Sequence, residues 1–190
     1  MSIMDERDER IIDAAMRVFS RYGVKRTTMH DIASEAGIAR QTLYNAYSNK
    51  DEVLRATIRL FTDRALAGIA AEGAQAAALG DKLDVVFAHM VVWPFELLRA
   101  SPEADDIISG FNSAGRDEMA ACDERFRVAI EKILAPHERQ IGAAGLTPRQ
   151  LSDFVRTTAK AFKYEARNKK HLLQLLDALK VSVLKIAGGG

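Results

Sequence analysis

Apolar residues recur at spacings of three and four along nearly the whole chain, and nowhere do β-branched and aromatic residues alternate with polar ones over the length of a strand. That pattern restricts the 190 residues to an all-α architecture. The four prolines agree with it: Pro94, Pro102, Pro136 and Pro148 are few, and three of them stand where a helix reads as starting or stopping.

The spacing predicts about nine helices. The first covers residues 5–22, with an apolar stripe of Ile12, Ala15, Met16 and Phe19 and with Gly23 as a left-handed stop. Short helices follow at 29–36 and 40–47, then a longer one at 50–71. Residues 73–80, rich in Ala and Gly, form a loop. A fifth helix at 81–99 contains Pro94, which removes the hydrogen bond to the Met90 carbonyl and predicts a kink. Ser101 and Pro102 open a short segment to residue 109. A seventh helix, 113–134, stops before Pro136. Thr147 and Pro148 open an eighth, in which Leu151, Phe154, Val155, Thr158 and Phe162 share a face. A ninth covers 169–186, with Leu172, Leu176, Leu179 and Val183 in line. The expected domains are 1–52, 53–187 and a flexible tail at 188–190.

Twenty-seven Lys and Arg face 26 Asp and Glu, so the chain is not a polycation, and any affinity for polyanions requires local clustering. Cys122 stands alone, which excludes an internal disulfide framework and a Cys-rich zinc site. The charged opening MSIMDERDER is no secretory signal. The longest apolar stretch, 85–94, is interrupted by His89 and too short to cross a bilayer. No P-loop, Rossmann glycine pattern or HExxH occurs, and the scattered His and Ser form no nucleophile arrangement. These features point to a cytoplasmic protein that is not an enzyme, carries no cofactor or metal and touches no membrane.

The informative stretch is TTMHDIASEAGIARQTLYNAY, residues 27–47. Ala33 is small where two helices must touch, Gly37 takes the left-handed turn, Ile32, Ile38 and Leu43 close a small core, and Thr28 with Asp31 offers a capping box. This is the spacing of a helix-turn-helix, whose second helix enters the major groove of double-stranded DNA. Arg40 and Gln41 are the expected base readers, gripping guanine and adenine edges respectively, while Thr42 or Asn45 adds a polar contact or meets a thymine methyl group. Tyr44, Thr27, Thr28 and Lys50 would hold the DNA backbone. Between residues 17 and 50, Arg17, Arg21, Lys25, Arg26, Arg40 and Lys50 stand against Asp31 and Glu35, so this end is positive. On pattern alone a plain helical hairpin with a solvated basic face stays open.

The string KRTTMHDIASEAGIARQTLYNAYSNKDEVL closely resembles the DNA-binding segment of the TetR family of bacterial repressors, down to the paired threonines, the Ile32-Ala33 and Ala36-Gly37 pairs, Thr42-Leu43-Tyr44 and Lys50 opening the next helix. The resemblance covers about the first 55 residues. Three positions depart from the family pattern: Ala39 precedes the recognition helix where Ser or Thr is common, Gln41 replaces a small Gly, and Tyr47 replaces Phe. Ala39 weakens the N-cap. The LacI type carries a similar motif, but at the extreme N-terminus and followed by an α/β domain, neither of which fits this chain.

The resemblance implies a homodimer built on the last two helices and an effector pocket among the fifth to eighth. The terminal stripes, Phe154, Val155 and Phe162 with Leu172, Leu176, Leu179 and Val183, are the candidate dimer surface, with intramolecular packing as the alternative. Met90, Trp93, Phe111, Met119, Cys122, Phe126 and Phe162 are the candidate pocket for an unknown, largely apolar small molecule. His89 reads as a core residue. The basic run at 156–170 is a solvated face or an anion site. The expected activity is that of a repressor released from an inverted-repeat operator by a small ligand, the alternative being a DNA-binding regulator controlled by a protein partner.

Overall fold

The computed structural model describes residues 6–103, 106–107 and 115–188. Among these every regular element is helical. The chain divides into two compact units that do not follow its linear order: Met1–Asp63 with Leu98–Cys122, and Arg64–Leu97 with Asp123–Gly190.

In the first unit, α1 (Glu6–Arg26) opens with Glu6, Asp8 and Glu9 at the positive end of its dipole. It buries Ile11, Ile12, Ala15, Met16 and Phe19 on one side. Helical backbone breaks at Gly23 (φ 79°, ψ 164°), where an added Cβ would also lie 2.4 Å from Asp106 Oδ2. Glycine is required there for two separate reasons. α2 (Met29–Ala36), α3 (Arg40–Ala46) and the first half of α4 (Lys50–Gly73) pack Ile32, Leu43, Val53 and Leu54 against Phe19, and Ile107 and Leu98 join the same core. Tyr47 packs beside Ile12, Ala56 and Leu60, so it fills the place expected of a Phe. Burial pushes its phenol up to about 12, with the Asp8 carboxylate adding to the shift.

The second unit contains α5 (Leu79–Phe87), α8 (Glu138–Ala143), α9 (Pro148–Glu165) and α10 (Lys169–Ile186), with parts of α4, α6 (Trp93–Ala100) and α7 (Arg116–Leu134). Ahead of Pro94, where a kink was expected, the backbone forms a π-helical turn over Ala88–Val92, with the Trp93 amide donating to the Ala88 carbonyl five residues back. The wide turn shifts the bonding register just ahead of the residue that has no N–H to give. After α7 the chain does not turn into plain loop: Ala135–His137 continues as a 3-10 turn into α8, a helix the spacing had not suggested. Thr147 caps α9 in a reciprocal capping box with Gln150, and Asn168 caps α10. Arg127, nearly buried, bonds Glu124 and Glu131 on its own helix, while Lys180 of α10 holds Asp84 of α5. No helix among the described residues is long and apolar enough to cross a membrane.

Of the segment expected at 101–109, Ser101–Glu103 and Asp106–Ile107 are described; Ser101 Oγ accepts the Glu103 amide at 3.1 Å, as an N-cap does.

Candidate nucleic-acid interface

The turn between α2 and α3 is built from local bonds. Thr28 Oγ1 accepts the Asp31 amide at 3.2 Å, and Asp31 Oδ2 accepts the Thr28 amide at 2.8 Å. The Thr28 hydroxyl also donates to Asp31 Oδ2 at 2.7 Å, and this bond first, then the one from the Thr28 amide, hold the Asp31 carboxyl below its ordinary range. Gly37 is left-handed (φ 65°, ψ 37°), and the Ile38 amide reaches back to the Ala33 carbonyl at 3.0 Å, a Schellman closure that tucks Ile38 onto the core. Ala39 opens α3 with no side-chain cap.

α3 has seven residues and buries only Leu43. Arg40, Gln41, Tyr44 and Asn45 lie exposed on its outer side, where the 40/44 and 41/45 spacings align them. Arg40 Nε donates to His30 Nδ1 at 2.9 Å, so α2 steadies the side chain best suited to guanine. Gln41 Nε2 donates to Asn45 Oδ1 at 2.9 Å. Thr42 is half-buried. His30 carries no periodic or motif signal; only the fold brings it to Arg40.

The residues expected on phosphates divide. Thr28 and Tyr44 are exposed, but Thr27 is buried, and its hydroxyl donates to the Gly23 carbonyl at 2.6 Å. Lys50 Nζ donates to the carbonyls of Val24, Lys25 and Thr27 at 2.6, 3.1 and 2.9 Å. Its ammonium thus braces the segment joining α1 to α2. The positive balance is also partly met inside the unit: Glu35 pairs with Arg17 and Arg21, Glu103 with Arg26, and Asp106 with Lys25. Two of those carboxylates come from the second segment of the unit, far along the chain, so local counting overstates the free charge.

The effector candidates fall in both units. Met90 and Phe126 are buried and Phe162 is half-buried in the second unit, whereas Trp93 is 45% exposed. Met119 and Cys122 are half-buried in the first unit, with Cys122 Sγ 3.0 Å from Thr62 Oγ1, and Phe111 lies outside the described residues. A trough of about 580 Å³ in the second unit is lined instead by residues that include Leu66, Ile69, Lys82, Val128, Lys132 and Ile133. None of the described candidates lines it. Of the candidate dimer residues, Val155, Leu172, Leu176, Leu179 and Val183 are buried within the chain's own second unit, and Phe154 is 51% exposed. Most of the 156–170 run is engaged: Arg156 and Lys160 with Asp123, Lys169 with Glu96, and Lys163 over the Tyr164 ring. Among the described residues no group of three or more His, Cys, Asp or Glu could hold a metal ion.

Two short helices crossing at a glycine turn and backed by a third helix define the class of helix-turn-helix DNA-binding regulators. Residues 11–57 match the bacterial regulatory proteins of the tetR family. The chain is 33% identical over 89 residues to the uncharacterized HTH-type transcriptional regulator YfiR of Bacillus subtilis, covering 47% of this chain and 37% of that protein. It is 46% identical over 48 residues to the HTH-type transcriptional regulator TtgR of Pseudomonas putida, covering 25% and 23%. The matched stretches thus span well under half the length of these relatives. Over nearly the whole chain the fold is similar to that of the fatty acid degradation regulator FadR from Bacillus halodurans (TM-score 0.71, 19% identity, 98% of each chain). It is also similar to SmeT of Stenotrophomonas maltophilia (TM-score 0.65, 22% identity, 92% and 89% covered).

Proposed function

We propose that the protein is a cytoplasmic, homodimeric transcriptional repressor, not an enzyme, that binds an inverted-repeat operator and leaves it when a small molecule occupies its second unit. The observation that carries this is the outer side of α3, where Arg40 held by His30, Gln41, Tyr44 and Asn45 stand exposed on a braced three-helix frame. In that reading Arg40 and Gln41 read bases, Thr42 and Asn45 add to the readout, and Tyr44 with the α2 N-terminus at Thr28 meets phosphates. Lys50 and Thr27 serve by holding the frame.

Two recognition helices would meet successive major grooves about 34 to 36 Å apart. Residues 1–52 act as the DNA-binding part and 53–187 as the effector and dimer part, with α4 running from one into the other. Phe154, Leu173 and Val181, exposed on α9 and α10, supply the apolar contacts of the dimer. Ligand and DNA then oppose each other through one coupling free energy. The similar fold of SmeT, a repressor of a multidrug efflux pump, supports repression.

The test is selection from randomised duplex DNA at one fixed salt, with Arg40→Ala in parallel. An enriched inverted repeat that Arg40→Ala binds with about 1 to 3 kcal/mol less affinity and one relaxed base position is the expected result. A uniform loss over all sequences would make Arg40 a phosphate contact, and no enrichment would remove the operator reading.

A further inference from the structure

We infer that the trough of the second unit binds an amphiphilic anion, a molecule with an aliphatic or aryl body and one carboxylate-like head, an assignment that rests on the ligand control proposed above and gives that ligand a place and a chemistry. The trough has a volume of about 580 Å³, inside the roughly 300–1,000 Å³ usual for small-molecule sites. Leu66 and Ile69 of α4, Val128 and Ile133 of α7, and Pro136 give it an apolar wall. A second space of about 530 Å³, reaching Leu79 and Leu184, shares Lys82, Ile133 and Pro136 with the first, which leaves room for a long body.

Charge decides the head group. Lys82 of α5 and Lys132 of α7 line the trough, and neither has an ion pair with a described residue. The carboxylate on that lining, Glu124, is taken up by two bonds from Arg127, at 2.7 and 2.8 Å. In the 156–170 run, by contrast, Asp123 and Glu96 already hold Arg156, Lys160 and Lys169. Ammonium groups beside an apolar wall attract an anion more strongly than they would in open water, because the wall displaces the dielectric that screens them. A neutral body would gain the wall alone, and a cationic one would meet repulsion.

Calorimetric titration of the full chain with decanoate, 1-decanol and decyltrimethylammonium, each below its aggregation threshold, tests the assignment. Decanoate is expected to bind about tenfold more tightly than decanol, and the cation most weakly. Lys82→Gln combined with Lys132→Gln should bring decanoate to the level of decanol and leave decanol unchanged, while Val128→Trp should remove both. The charge variant alters side chains at the trough edge, so it carries the test even if Val128→Trp fails to fold. Equal decanoate affinity in the wild type and the charge variant, preference for the cation, or no binding would overturn the assignment. Adding decanoate to the operator complex separates the two readings. Binding without DNA release keeps the site and removes ligand control by this anion, and specific DNA binding with no decanoate bound does the reverse.

Discussion

The ammonium of Lys50 lies 2.6 Å from the carbonyl oxygen of Val24, twenty-six residues earlier in the chain. With the carbonyls of Lys25 and Thr27 it uses all three of its protons on the link that carries α2 away from α1. The first residue of α4 therefore sets the placement of the helix-turn-helix from below.

Lys50→Met should cost about 1 to 3 kcal/mol of stability, since carbonyls formerly bonded to a charge lose their partner. A phosphate contact would instead show in the salt dependence of DNA binding, whose slope should fall by about one. We expect a lower Tm and an unchanged slope. A reduced slope with an unchanged Tm would return Lys50 to the DNA.

Gly23 and Gly37 both have positive φ, yet alanine should not cost the same at the two sites. Gly37 (ψ 37°) sits in the left-handed helical well, while Gly23 (ψ 164°) sits in a region that only glycine adopts readily. Nothing lies within 4 Å of a Cβ at Gly37, so Gly37→Ala adds backbone strain alone, about 1 kcal/mol. At Gly23 the new atom would also meet Asp106, which is anchored by the Lys25 amide at 2.8 Å. Gly23→Ala should cost roughly 2 to 3 kcal/mol. Denaturant unfolding of the two variants orders them, and equal midpoints would contradict this account.

Ala39 leaves the first amides of α3 without a side-chain acceptor. Ala39→Ser should raise stability by about 0.5 to 1 kcal/mol, because its extended backbone (φ −66°, ψ 144°) already suits an N-cap. A rise of a few degrees in Tm checks it.

His30→Ala removes the acceptor that orients Arg40. Specific DNA affinity should fall about three- to tenfold in the wild-type background and hardly change in Arg40→Ala, the coupling expected of two groups in contact. Additive losses would show that His30 touches DNA on its own account.

The phenol of Tyr47 is raised from 10.0 to about 12 in the folded chain, mainly by burial. Because the folded form keeps its proton longer, the associated stability is present below pH 10 and is lost as pH rises through 12. Tyr47→Phe should lose less stability than the wild type across that window. At the acid end the sign reverses: Asp31, held low by Thr28, contributes above its ordinary 3.8, and that contribution fades as pH falls below it. Paired melting curves of Tyr47→Phe and wild type, at neutral pH and near pH 11, test the alkaline half.

Much of the helix-turn-helix was legible because its determinants are local. The capping box of Thr28 and Asp31 closes over three residues, Gly37 and Ile38 close α2 within five, and Thr147 with Pro148 announces α9 in the same way. The terminal stripes were legible only in part. Their period marks the side of α9 and α10 that packs, but period carries no information about whether the covering surface belongs to the same chain. Val155, Leu172, Leu176, Leu179 and Val183 proved to be covered by their own unit, while the exposed Phe154, Leu173 and Val181 lie off that buried stripe. The trough was missed for a related reason: Leu66, Val128 and Ile133 come from helices whose spacing reads as ordinary core.

What the amino-acid order determined by itself was the helical class, the caps and turns, and the bihelical motif, all settled by bonds and spacings within a turn or two of helix. The tertiary structure alone decided that Lys50 is a brace, that Asp106 meets Lys25 across eighty-one positions, and that His30 holds Arg40. Such pairings depend on which distant segments the burial of Ile107 and Leu98 draws onto the first unit's core, and side-chain chemistry at one position cannot specify its partner until that closure has brought the partner near.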